Sequence, residues 1–200
     1  MTQYKVKFLG DLKWFIGINV LRDRPNRQLW LSQESYVDKI AGKYGLLEAI
    51  TAPKVPLGID PLKPNITTAE PKDIKLYQSL VGSLLYAAII TRPDIAYAAS
   101  KLSQFLQNPS QYHIKCSKGV ISYLNASKRL GIRFCGNTHE ATYMTDASFG
   151  DNYDRKSSHG FVISLHTNTI QMATLRNIRH ESLWATSAAA YDAPFGPGRL

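Results

Sequence analysis

Only two of the 200 residues are cysteine, Cys116 and Cys135. Neither has a cysteine or histidine at metal-ligand spacing, which argues against a zinc site and leaves buried thiols as the reading. Apolar runs are also short. The longest, Leu84 to Ile90, falls far below the ~18 residues a bilayer-spanning helix needs and reads as a core helix segment. The opening residues, Met1-Thr-Gln-Tyr-Lys-Val-Lys7, lack the apolar stretch of a secretory signal. An intracellular protein, cytoplasmic or nuclear, with no membrane partner is therefore expected. Five histidines are present, His113, His139, His159, His166 and His180, with no i, i+4 pairing or carboxylate partner of the metal-binding kind. They read as surface or structural residues. There is no internal repeat and no low-complexity block.

Acidic residues are scarce in the first two-thirds of the chain. Residues 1–50 hold 8 basic and 5 acidic side chains, residues 51–130 hold 10 and 4, and residues 131–200 hold 6 and 6. The whole formal charge of +9 thus lies before residue 131. Such an imbalance suits a polyanion bound by the first part of the chain, and equally a solvated basic surface.

The apolar patterning divides the chain. Phe15 to Leu21 alternates, placing Ile16, Ile18 and Val20 on one face, and Leu29 and Leu31 resume the alternation after Asp23-Arg-Pro-Asn-Arg27, which predicts a β-hairpin with Pro25 in its loop. Tyr36, Val37, Ile40, Ala41 and Tyr44 then follow helical spacing, with Gly45 as the stop. Five prolines (Pro53, Pro56, Pro61, Pro64 and Pro71) make residues 51–73 a linker or strap without regular structure. Three helices follow. Leu76, Leu80, Leu84, Ala87 and Ala88 mark the first. Ile95, Ala98, Ala99, Leu102 and Phe105 mark the second, after Thr91-Arg-Pro93. Val120, Ile121 and Leu124 mark the third, after Asn108-Pro-Ser110. Gly119 weakens that last helix by about 1 kcal/mol relative to alanine. Strands are predicted at 132–135, 143–146, 160–165 and 169–174, then an alanine-rich helix at 182–191 and a Gly/Pro tail. Of the three tryptophans and eleven tyrosines, most read as core residues, although each could stack on a base.

Asp146 closes the run Tyr143-Met-Thr-Asp146, before the small-residue turn Ala147-Ser-Phe-Gly150 and the β-rich run from Gly160. It is expected at the end of a buried strand, and two readings stay open there: a turn aspartate satisfying backbone N–H groups, or a metal-binding carboxylate. Asp151 and Asp154 fall in the following loop and read as solvent-facing.

In order and spacing these segments resemble the C-terminal part of the Pol polyprotein of copia-type retrotransposons over nearly residues 8–193. Leu12-Lys-Trp-Phe-Ile-Gly-Ile18, Leu29-Trp-Leu-Ser-Gln33 and Tyr36 resemble the hairpin and helix that follow that family's polymerase active site. Tyr77, Val81-Gly82, Leu84, Tyr86, Thr91-Arg-Pro-Asp-Ile-Ala-Tyr97, Ser103-Gln-Phe105, Asn108-Pro109, His113 and Tyr123-Leu124 resemble its helical region. Thr145-Asp-Ala-Ser148 with Arg155, Ser157-Ser158 and Gly160 resembles the opening of its ribonuclease H domain. The resemblance implies an α+β chain: a reverse transcriptase-like β-hairpin and helix (1–50), the Pro-rich linker (51–73), a helical thumb or connection unit (74–130), a truncated ribonuclease H-like mixed sheet (131–193) and a disordered tail (194–200).

It also implies what chemistry is missing. The family's polymerase holds two Mg²⁺ ions on palm aspartates that include a Tyr-x-Asp-Asp turn, and no such turn occurs in these 200 residues. The family's ribonuclease H uses several carboxylates around Mg²⁺. Asp146 matches the first, while the helical glutamate expected in a Glu-Ala-Glu-Tyr-type segment is Ala188 in Ala188-Ala-Ala-Tyr191. Asp192, one helical turn on, is displaced by roughly 5.4 Å where catalytic metal geometry tolerates about 0.5 Å. The expectation is a catalytically inactive fragment that keeps nucleic-acid-binding elements, with Asp146 a remnant holding at most one weak Mg²⁺. Its partner would be an RNA–DNA hybrid or other nucleic acid, or a separate palm-containing Pol chain; the alternative is a metal-dependent nuclease acting on RNA–DNA hybrids. Lys115, Lys118, Lys128 and Arg129 are the remaining phosphate contacts. Gly119, Ser122 and Asn125 stand where the family commonly has arginine or lysine, which implies a thinned binding surface.

Overall fold

The computed structural model describes residues 10–48, 52–135, 141–150, 152–165 and 168–178. The chain opens on a short strand β1 (Trp14–Phe15), β2 (Ile18–Asp23) and β3 (Gln28–Ser32), all antiparallel. The alternating run from Phe15 to Leu21 is not one strand. It is broken by a two-residue hairpin turn at Ile16 and Gly17, whose φ angles are 47° and 77°. Glycine takes that conformation without strain, and its φ reverses the chain in the handedness a tight hairpin needs. Ile16 therefore sits at a turn tip, 67% exposed, and does not join Ile18 and Val20 on the half-buried face. The one hairpin predicted, here β2 with β3, forms as expected. Its loop is held by Asp23, which accepts from the backbone N–H of Asn26 at 3.1 Å and from its side-chain amide at 2.7 Å.

Helix α1 (Glu34–Lys43) buries Val37, Ile40 and Ala41. It stops at Gly45, whose φ of 67° lets the Leu46 N–H reach back to the Ala41 carbonyl at 2.8 Å. Residues 52–70 contain no helix or strand. This strap is fastened through Asn108, which donates to the Asn65 and Thr67 carbonyls and accepts from the Ala69 N–H at 2.8 Å. Helix α2 (Pro71–Ile90) begins two residues earlier than the linker boundary at 73, because Pro71 takes the first helical position, where its missing N–H costs nothing. A short 3-10 turn (Pro93–Ile95) leads into α3 (Ala96–Ser103), and α4 (Gln111–Ala126) follows. At the start of α4 the Ser110 hydroxyl accepts from the His113 N–H, and the Ser110 N–H donates to His113 Nδ1 at 3.0 Å. A histidine here fills the place glutamate holds in the usual capping box.

The core is helical. Tyr77, Leu80, Val81 and Leu84 of α2 pack with Ile95, Ala98, Ala99 and Leu102, with Ile114, Val120, Ile121 and Leu124 of α4, and with the buried face of α1. The Tyr77 hydroxyl spans this core to the Leu102 carbonyl at 2.7 Å.

The strand assigned by sequence to the C-terminal unit, β4 (Gly131–Cys135), instead hydrogen-bonds to β3 in antiparallel register, Leu31 opposite Ile132. It completes a sheet of order β1-β2-β3-β4. The α4 C-terminus delivers the chain beside the open edge of β3, so pairing there satisfies both edges. A second sheet of order β5-β6-β7 comprises β5 (Ala141–Ser148), β6 (Ser157–Leu165) and β7 (Asn168–Ile178), each longer than predicted. Among the described strands every pairing is antiparallel, whereas a mixed sheet was expected. A parallel partner needs a crossover of a dozen or more residues, and no described connection between these strands is that long. The expected helix at 182–191 and the tail lie outside the described residues.

Candidate functional site

Asp146 lies within β5, third from its end and opposite Gly160 of β6. It is exposed, as are Tyr143 (54%) and Met144 (62%) on alternate faces of the same strand, so the expected buried strand end is not found. The physical reason is that β5 packs mainly against its neighbour β6 and no described helix substantially covers either of its faces. Beside it, the Thr145 hydroxyl and Nε2 of the buried His159 are 2.6 Å apart, while His159 Nδ1 has no hydrogen-bond partner among the described residues. Among those residues no three His, Cys, Asp or Glu side chains gather at a metal-binding distance. One exposed carboxylate does not fit a two-Mg²⁺ centre, which needs several to hold both ions and offset their charge. Ala188 and Asp192 lie outside the described residues. Asp154 is exposed in the loop and ion-paired to Lys156 at 3.2 Å.

The four candidate phosphate contacts are not one cluster. Lys115 is exposed on α4 and Lys118, one turn on, is half-buried. Lys128 is committed to Asp38 of α1, with Nζ–Oδ1 at 2.7 Å. Arg129 is exposed three residues beyond the helix end, which itself lies about 16 Å along the axis from Lys115. Two of the positions taken as lost contacts have other work. Ser122 is buried, and the Asn125 amide donates to the Leu46 and Leu47 carbonyls at 3.2 and 3.1 Å, tying α4 to the end of α1. A cation at Ser122 would be desolvated, and one at Asn125 would leave those carbonyls unpaired. Their neutrality therefore reflects burial at Ser122 and the tie to the end of α1 at Asn125, and is no measure of a thinned surface. Gly119 does face open space.

A polar cluster at the junction of α2, α3 and α4 was not anticipated. Arg92 is 2% exposed, and its guanidinium grips Asp94 through Nε–Oδ1 at 2.9 Å and Nη2–Oδ2 at 2.7 Å. It also donates to the Ser127 carbonyl at 3.0 Å and hydroxyl at 2.7 Å, locking the α2–α3 corner to the end of α4. The Tyr123 hydroxyl donates to Asp94 at 3.0 Å. Burial alone would raise the Asp94 carboxyl, but hydrogen bonds and charge from Arg92 outweigh it and hold the group below the usual range. Next to it, the Thr91 hydroxyl donates to Oε1 of buried Gln33 at 2.8 Å, linking the corner to α1. Thr91-Arg-Pro-Asp94 is thus a structural clamp. The adjacent Arg-Pro-Asp triplet was a signal, since a charged pair flanking a helix-starting proline is placed to fold back on itself.

A 34% identity over 173 residues relates this chain to the retrovirus-related Pol polyprotein of transposon TNT 1-94 from Nicotiana tabacum, covering 84% of this chain and 13% of that one. A putative Ty5-1 transposon protein of Saccharomyces cerevisiae is 33% identical over 165 residues, 81% of this chain and 52% of its own. The Pol polyprotein of transposon RE1 from Arabidopsis thaliana is 31% identical over 176 residues, 86% of this chain and 12% of its own. The chain belongs to the copia-type retrotransposon Pol family. It spans about half the length, or much less, of these Pol relatives. An uncharacterized mitochondrial protein of Arabidopsis thaliana is nearer in size, 30% identical over 88% of this Pol chain and 72% of its own. No protein-family model and no solved structure matches it. Among the described residues, no helix of this Pol chain is long and apolar enough to cross a membrane.

Proposed function

We propose that this Pol chain is a nucleic-acid-positioning segment, the thumb or connection part of a reverse transcriptase followed by the start of a ribonuclease H-like domain, without catalysis of its own. The observation that carries this reading is the separation of its parts. A basic helical unit with exposed Lys115 and Arg129 precedes an antiparallel sheet whose Asp146 belongs to no described group of three or more metal-ligating side chains. Cations on helices contact a phosphate backbone regardless of sequence, and such binding weakens as salt displaces it. Anisotropy titration of an RNA–DNA hybrid tests it: binding should weaken steeply with salt, and Lys115→Gln should lower the log–log slope by about one. Absence of binding at low salt overturns the reading.

A metal-dependent nuclease acting on RNA–DNA hybrids is the second reading, favoured by the place of Asp146 on the first strand of an antiparallel meander. Hybrid cleavage in Mg²⁺ or Mn²⁺ that Asp146→Asn abolishes would establish it; without cleavage, Asp146 holds at most one weakly bound Mg²⁺. A separate palm-containing chain is the natural protein partner, and Trp14, Phe15 and Ile16, each about half exposed or more, offer an apolar hairpin tip for it. Primer extension restored by adding such a chain is the test. The site of action is then intracellular, cytoplasmic or nuclear, where such hybrids form.

A further inference from the structure

Away from Asp146, a cleft of about 530 Å³ runs between the proline-rich strap, α3 and the loop joining β5 to β6. Three cations line it, Lys63 from the strap, Lys101 from α3 and Arg155 from the loop, against a single described carboxylate, Asp60. Two tyrosines share the lining, Tyr97 and Tyr153, with 55% and 73% of their surface open to solvent. Polar, positively charged and aromatic groups thus face one space.

The walls are braced against one another. Asn152, 5% exposed, accepts at Oδ1 from Lys101 Nζ at 2.8 Å and from Gln104 Nε2 at 3.0 Å. Its own amide donates to the Lys156 carbonyl at 2.7 Å and to the Ser158 hydroxyl at 2.9 Å. The loop is therefore clamped to α3 through one buried side chain. Arg155 occupies the left-handed region at φ 61°, and its guanidinium lies 3.5 to 3.7 Å from where a Cβ on Gly150 would stand. A Cβ there would make only ordinary contact with the guanidinium, so what calls for glycine at 150 is its own left-handed φ of 58°.

We propose that this cleft receives a single-stranded stretch of nucleic acid, with Arg155 and Lys63 on backbone phosphates and Tyr97 and Tyr153 stacked on bases. The inference rests on the nucleic-acid reading above and names where an unpaired strand would run. Exposed tyrosines favour this ligand because their rings accept any base, provided that base is unstacked. A planar guanidinium matches phosphate geometry. An acidic peptide would use the cations and leave the Tyr153 ring unexplained, whereas the Tyr97 ring already has Lys101 Nζ 5.6 Å from its centroid.

The full chain is titrated with a labelled short oligothymidylate and with an abasic strand of equal length. Arg155→Asn is chosen because asparagine tolerates the left-handed conformation while removing the charge. It should lower the salt slope by about one. Tyr153→Ala should weaken oligothymidylate binding about tenfold and leave the abasic strand unaffected. Photocrosslinking through iodouracil should mark Tyr97 or Tyr153. If the oligonucleotide binds but crosslinks elsewhere and ignores both variants, the cleft assignment falls while the hybrid-binding reading stands. If the abasic strand binds as tightly, or polyglutamate displaces it equally well, the site is a general anion cleft and the assignment is again overturned. If neither hybrid nor single strand binds, both readings fall together. Both substitutions lie at exposed positions, and an unchanged circular dichroism melt separates lost binding from lost folding.

Discussion

Replacing Asp94 with alanine should unfasten the corner between α2, α3 and α4 at a cost that can be worked from its geometry. The substitution removes both carboxylate bonds to Arg92, at 2.9 and 2.7 Å, and leaves a guanidinium only 2% exposed. Breaking a buried ion pair by deleting one partner costs ~3–5 kcal/mol. Two features reduce that figure here: the Asp94 side chain is 34% exposed, so water enters in its place, and Ser127 keeps both of its bonds to Arg92. The expected loss is then about 2–3 kcal/mol, a substantial share of the ~5–15 kcal/mol that holds a domain together. With a urea m-value of about 2 kcal/mol/M, the unfolding midpoint should fall by roughly 1–1.5 M. The double variant Arg92→Met with Asp94→Ala should recover part of that loss, because no buried charge remains unpaired. Acid titration supplies an independent check. The folded Asp94 carboxyl lies below the ordinary value of 3.8, so its contribution is complete above that pH and is lost as pH falls through the lowered folded value. The variant should therefore lose less stability in acid than the parent. A midpoint shift below about 0.2 M, with the double variant no better than the single, would refute the clamp.

Other positions give sharper contrasts. Nothing lies within 4 Å of a Cβ added at Gly119, so Gly119→Ala should stabilise α4 by about 0.5–1 kcal/mol in the same urea assay. Gly131→Ala should do the opposite, because its Cβ would strike the Leu31 carbonyl across the β3–β4 pairing; a loss of about 2 kcal/mol or more is expected, and a neutral result would show that this pairing is absent in solution. Burial lowers the His113 pKa from its usual value of 6.5, so the unfolded chain binds the extra proton first and stability should fall as pH drops through 6.5 toward the lower folded value. His113→Gln keeps a capping-box acceptor while flattening that slope, which a melt series between pH 5 and 7.5 would record.

Much of the helical half was legible because period-3.6 patterns leave little choice. Leu80, Leu84, Ala87 and Ala88, like Ala98, Ala99 and Leu102, share a face on a helix, whereas a strand would set Ala87 opposite Ala88 and Ala98 opposite Ala99; those helical faces form the core. Pro93, Pro109 and Gly45 punctuated the chain where the helices start and stop. Strand partners were less legible. Nothing in Ile132-Arg-Phe-Cys135 states whether it pairs forward or back, and only the position of the α4 end beside β3 decided it. Ile16 alternated correctly with Ile18, yet the local backbone at Gly17 overrode the pattern.

The same division holds for function. Sequence by itself determined the family resemblance, the basic excess before residue 131 and the identity of Asp146 as the carboxylate to watch, since these depend only on residue type and order. Tertiary structure decided what those residues are free to do. Lys128 proved to be spent on Asp38, Ser122 and Asn125 on packing, and Arg92 on Asp94, while Asp146 was left open on an edge strand. Charge and chemistry are properties of a side chain; availability is a property of its neighbours, and these are brought together from 90 residues apart for Lys128 and Asp38 only by the fold.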